Sequence, residues 1–203
     1  MIKVAPLHTR DLAAVATLFA EATATYPYRW TLSPQAFRDH VLFDEGGPHA
    51  ELAVDPNGWL VATQGDYALG FAHCTVGRLQ EDDGDARRGF LRFLAMRSDA
   101  PAETATALLT AADGYFRGHK VEQVAAFHIR TGYPCCLAGR GALASDRLDL
   151  MTALGRAGYR MADRWLLYEK RMYARVTERL PALAGLRLQI EDQDDGGFSL
   201  YVS

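Results

Sequence analysis

His128 has both the type and the place to do chemistry. It directly follows Val121-Glu-Gln-Val-Ala-Ala-Phe127, an apolar run with strand character, so an imidazole stands at a strand end with a near-neutral pKa that lets it accept a proton. A lone histidine there can equally be a hydrogen-bonded structural residue. The adjacent thiols Cys135 and Cys136 offer a nucleophile, but no neighbouring signature supports one, and buried cysteine ordinarily packs as a small apolar group. Gly139-Arg140-Gly141 puts a cation in a glycine-rich turn ahead of a helix, suited to a phosphate or carboxylate, or simply a flexible turn with a solvated arginine. Glu81, Asp82, Asp83 and Asp85 form a carboxylate cluster that would attract a cationic group or serve only as a solvated loop. The six histidines are scattered singly and no Cys-x-x-Cys pair occurs, so no metal site is expected.

These residues hang on an alternating series of strands and helices. Ile2 to Ala5 reads as a short strand, and Leu12, Val15, Ala16 and Phe19 recur on one helical face. Ser33-Pro34 is an N-cap followed by proline at the first helical position, which predicts a second helix to about Leu42 with Phe37 and Val41 inward. The aromatic stretch from Thr23 to Leu32 is either a lid over a cleft or a packed loop. Glu51 to Val54, Trp59 to Thr63 and Tyr67 to Val76 read as strands, the last two joined by a turn at Gln64-Gly65-Asp66. A charged, glycine-bearing loop over 77–89 leads to a strand at Phe90 to Met96, a helix from Thr104 to His119, and the strand ending at Phe127. A further helix is predicted from an N-cap at Ser145, with Leu148, Met151 and Leu154 or Gly155 as its apolar stripe and Gly158 at its end. Tyr159 to Arg171 then reads as a long strand. Beyond it, Leu186 to Ile190 and Phe198 to Val202 flank the acidic turn Glu191 to Gly197, predicting a C-terminal hairpin or the start of a second repeat.

The strand-helix-strand unit from Phe90 to Phe127, together with Ala153-Leu-Gly-Arg-Ala-Gly158-Tyr159 and the strand after it, resembles the GNAT acetyltransferase superfamily over roughly residues 2–172. The resemblance implies an α/β (α+β) fold: a mixed, mostly antiparallel sheet with a central, splayed pair of parallel strands, flanked by helices. It implies an acyl-CoA-dependent N-acetyltransferase acting on a small amine, with acetyl-CoA as cosubstrate. In that superfamily a loop of the form Arg/Gln-x-x-Gly-x-Gly/Ala turns backbone N–H groups toward the CoA pyrophosphate. Here the pattern falls on Ala100, Glu103 and Ala105, and only Ala105 keeps the superfamily residue. The implied cofactor contacts are therefore the strand end Leu94-Ala95-Met96, with Arg97, Glu103, Thr104 and Ala105, and weak binding is expected because Glu103 stands where a glycine allows close approach. The tyrosine that often protonates the departing thiolate would fall at Leu154, which leaves Tyr133 as the replacement acid beside His128 as base. The alternative is a non-catalytic, degenerate GNAT-like domain that binds a ligand or partner.

Composition narrows the setting. The 203 residues suffice for one domain of about 1–172 and a C-terminal extension, 173–203. A net charge of -3 gives no basic footprint for nucleic acid or an anionic membrane surface. No run approaches about 18 apolar residues, so no membrane span is expected. Three cysteines, two of them adjacent, do not make a disulfide framework and suit the reducing cytoplasm. A homodimer or a second GNAT-like domain remains open as a protein partner.

Overall fold

The computed structural model describes residues 1–26, 29–45, 50–80, 87–136 and 142–162, and the strands 188–192 and 198–202. Strand β1 (Lys3–Pro6) is followed by helix α1 (Leu12–Ala22), whose Val15, Leu18 and Phe19 are buried as their helical spacing requires. Helix α2 (Pro34–Phe37) starts as expected: the Ser33 hydroxyl accepts the Ala36 N–H at 3.1 Å. Its continuation, Arg38–Leu42, widens into π-type winding while keeping Phe37 and Val41 in the core.

Strands β3 (Trp59–Gln64), β4 (Tyr67–Leu79), β5 (Arg88–Met96) and β6 (Val124–Ala126) form a sheet in the order β1-β3-β4-β5-β6. All neighbours are antiparallel except β5 and β6, which are parallel. The short β2 (Ala50–Leu52) also pairs with β4, on the edge that β3 occupies further along, so β2 and β3 are one strand interrupted at 54–58. That excursion ends at Gly58, where a Cβ would meet the Cys74 carbonyl oxygen at 2.0 Å. Residues 77–79, expected in a solvated loop, continue β4 instead because Gly77 lets the β2 backbone close in and Leu79 is buried.

Helix α3 (Glu103–Gly118) crosses from β5 to β6 and packs with α4 (Leu148–Arg156) on one sheet face, against Leu60, Ala72, Leu91 and Leu94. Helices α1 and α2 cover the other face, against Val61, Phe71, Phe93 and Ala95. Two expectations need correction here. Strand β6 is shorter than 121–127 because Lys120 and Phe127 both take positive φ, which bends the chain out of the ladder at either side. Helix α4 is capped at Arg147 rather than Ser145, and Leu150 and Leu154 face inward while Leu148 is 66% exposed.

Gly158 ends α4 in the left-handed region, φ +90°, as the sequence suggests. Tyr159 to Ala162 carry no strand pairing, and the rest of the expected closing strand, 163–171, lies outside the described residues. The chain divides into two units, 1–167 and 168–203. In the second, β7 (Leu188–Asp192) and β8 (Phe198–Val202) pair antiparallel from Leu188↔Val202 to Asp192↔Phe198.

Candidate functional site

The parallel pair β5–β6 holds together for only three rungs, Gly89↔Val124 to Leu91↔Ala126. A last bond runs from the Phe127 N–H to the Leu91 carbonyl at 2.8 Å, and Phe127 then turns away with φ +53°. That conformation costs a phenylalanine ~1 kcal/mol, so the surrounding packing, including the Phe93 ring 6.0 Å away, must enforce it. Strand β5 continues to Met96, paired only with β4 among the described residues. Its other edge, Arg92 to Met96, therefore has no strand partner among the described residues, along the line where the two parallel strands part.

Helix α3 begins at one end of this edge. Its first turn has no side-chain cap, the Thr104 N–H bonds the Pro101 carbonyl at 2.9 Å, and Thr104 and Ala105 are buried. The Thr104 hydroxyl oxygen is buried with no hydrogen-bond partner among the described residues, an open donor at a positive helix end. The surrounding charge is adverse to an anion. Glu103 is exposed, and Arg97 is tied to Asp99 (Nε–Oδ1 2.9 Å) with its guanidinium 4.5 Å over Tyr67. That bond holds the Asp99 carboxyl below its usual range, so the cation of this loop is already engaged.

His128 caps the 3₁₀ turn Ile129–Thr131, its Nδ1 accepting the Arg130 N–H at 3.3 Å, which leaves the neutral ring's proton on Nε2. The ring packs edge-on to Phe90, 6.1 Å between centroids, beside the β5–β6 ladder rather than opposite Leu94-Ala95-Met96. Tyr133 lies elsewhere again. It is 1% exposed, its hydroxyl is 2.6 Å from His73 Nδ1, and burial pushes its pKa up. Its place is the core under α1, so the structure does not bring it together with His128. Cys135 and Cys136 are buried in the same core with sulfurs 4.0 Å apart. Residues 81–86 and 137–141, which include the acidic cluster and the Gly-Arg-Gly turn, lie outside the described residues.

Part of the aromatic stretch after α1 packs on the core. Tyr26 and Leu32 lean on this core, and the Trp30 N–H bonds the Cys135 carbonyl at 3.0 Å.

The sequence reading missed a buried polar chain beneath the parting strands. Arg92, 2% exposed, donates from Nε to the Thr131 carbonyl at 2.7 Å and from Nη1 to the Asp44 carbonyl at 3.0 Å, and ion-pairs with the Asp44 carboxylate. Its guanidinium lies 4.4 Å over the Tyr133 ring; Tyr133 bonds His73, and His73 stacks on Trp59 at 3.9 Å. Burial and the Arg92 charge push the His73 pKa well down, so His73 is a neutral acceptor for the Tyr133 hydroxyl. Arg92 thus ties the segment after α2 to the segment after β6 where the strands diverge. One signal was present: an arginine in the middle of the apolar run Phe90 to Met96 must be paired if that strand is buried.

Among the described residues no group of side chains could hold a metal ion, and no helix is long and apolar enough to cross a membrane. No protein-family model matches the sequence, and no curated protein matches it. Solved structures do match. A ribosomal-protein-alanine N-acetyltransferase from Brucella melitensis biovar Abortus 2308 superposes with a TM-score of 0.52 at 19% identity, covering 84% of this chain and 99% of its own. An aminoglycoside N-acetyltransferase in complex with CoA gives 0.52 at 13%, covering 84% and 95%. A transcriptional regulator from Bacillus halodurans C-125 gives 0.55 at 14%, covering 84% and 100%. At these identities the likeness is one of fold.

Proposed function

The chain has the GNAT acetyltransferase fold, and on that fold we propose an acyl-CoA-dependent N-acetyltransferase acting on a small amine. The observation that carries the reading is the parting of β5 from β6 after Leu91, which leaves Arg92 to Met96 without a strand partner on that side among the described residues, beside the start of α3. Such an edge can bind an extended, amide-bearing arm through backbone hydrogen bonds whatever its side chains, so Leu94, Ala95 and Met96 fit the pantetheine part of acetyl-CoA. The first turn of α3, which has no side-chain cap, is the part that would face its pyrophosphate through backbone N–H groups. Glu103 and the engaged Arg97 weaken that end. Acetyl-CoA supplies an activated acyl thioester; the chain's part is to lay it along the edge and exclude water.

In the transfer the amine nitrogen bonds the acyl carbon, the carbon–sulfur bond breaks, one amine proton goes to a base, and the thiolate takes a proton. His128 is the proposed base, through Nδ1, whose bond to the Arg130 N–H is long enough to give way to a better partner. Tyr133 we assign to positioning, because its hydroxyl is already committed to His73. Two of the three structures named above are N-acetyltransferases, which supports an amine acceptor; a reducing, cytoplasmic setting agrees with three unpaired cysteines. The adverse charge at Glu103 and the buried Leu154 favour a second reading, a domain that binds without catalysing.

Thiol release from acetyl-CoA in the presence of a panel of small amines separates the two. We expect amine-dependent release, lowered by a factor of about a hundred in His128→Ala with acetyl-CoA affinity unchanged. Binding of acetyl-CoA without release would support the second reading, and neither binding nor release would end the acyltransferase reading.

A further inference from the structure

We propose that a cavity two strands away from the parting edge is a binding site for a small carboxylate with an apolar body. The cavity has a volume of about 190 Å³ and lies on the α1–α2 face, between the start of α1, the π-wound turn after α2, and the excursion 54–58. Leu7, Leu12, Leu42, Phe43, Val54 and Trp59 give it apolar walls. An apolar cavity of ~150 Å³ admits a benzene ring, so this one takes a single ring or a short chain. Its rim is unusually apolar for surface: Phe43 is 49% exposed and Val54 40%.

The two ionisable side chains in its lining are both basic. Arg38 and His8 line the cavity, and neither side chain has a hydrogen bond or ion pair among the described residues. Several nearby carboxylates have other partners. Asp39 accepts from Gln35, Asp44 is ion-paired with Arg92, and Asp55 accepts from the Asn57 N–H and faces His119 Nε2 at 3.4 Å. Asp11 lies 3.8 Å from Arg10 Nε. An unpartnered guanidinium above an apolar cavity suits a carboxylate whose body is buried and whose head stays at the rim.

This site does not depend on the acyltransferase reading, because Trp59 on β3 is separated from the open edge of β5 by β4 and β5 themselves. The test is a ligand-observed NMR titration of the full chain with phenylacetate and with its uncharged counterpart, 2-phenylethanol. We expect phenylacetate to bind with a Kd of about 1 mM or below, and 2-phenylethanol roughly tenfold more weakly. Arg38→Gln should weaken phenylacetate about tenfold and leave 2-phenylethanol unchanged, since it removes only the charge partner. Val54→Trp, at an exposed rim position that folding tolerates, should weaken both by about tenfold or more by filling the mouth. No binding of phenylacetate at about 10 mM, equal binding of the two compounds, or binding untouched by both substitutions would overturn the proposal.

Discussion

His73 shows how a buried residue makes this fold sensitive to acid. Burial and the Arg92 cation keep its pKa well below 6.5 in the folded chain, so the neutral ring accepts the Tyr133 hydroxyl. The unfolded chain has no such constraint, so below pH ~6.5 it binds a proton that the folded chain refuses. Stability should therefore hold above about pH 6.5 and fall as the pH drops, with this residue contributing up to ~1.4 kcal/mol per pH unit. Denaturant unfolding at stepped pH checks it. His73→Gln should flatten the slope between about pH 6.5 and 5 while lowering stability at neutral pH, and an unchanged slope would move the acid sensitivity to another group.

The start of α3 and the break between β2 and β3 each rest on one residue. Glu103 adds a carboxylate to a helix end where Asp99 already accompanies the engaged Arg97, so Glu103→Gln should tighten acetyl-CoA binding. Because Glu103 is exposed, solvent screens the effect, and about a threefold gain by calorimetric titration is expected rather than a hundredfold. Gly58 is fixed by space: a Cβ there would meet backbone at 2.0 Å, which a flexible side chain cannot relieve. Gly58→Ala should cost on the order of 3 kcal/mol in unfolding free energy, and a change below about 0.5 would mean that the excursion moves aside. Much of this layer could be read from sequence. The cap at Ser33, the glycine ending α4 and the crossover from β5 through α3 to β6 are local patterns, and each appears where the residues place it. The length of β6 could not be read that way. Residues 121–127 have strand composition throughout, and only tertiary packing decides that Lys120 and Phe127 leave the ladder.

Across the whole molecule the site proved harder to read than the fold. The order of elements determines which strands are parallel, since a β-α-β crossover admits few alternatives. Side-chain roles are set by where the chain goes after the strands part, and that path is written in long-range contacts: Tyr133 to His73, and Arg92 to Asp44 and Thr131. The place of His128 after a strand and the leucine at 154, where a tyrosine would stand, say nothing of which way the His128 and Tyr133 side chains turn. What needs no side-chain identity is the open edge itself.

That edge is the central claim, and backbone amide shifts during an NMR titration of the labelled 22.4 kDa chain with acetyl-CoA test it most directly. The largest shifts should fall on Phe93 to Met96, beside the point where β6 leaves, and on Glu103 to Ala105 at the start of α3. Saturating acetyl-CoA that leaves those amides unmoved, or moves only residues remote from β5 and α3, would contradict the assignment of this opening as the acyl-CoA site.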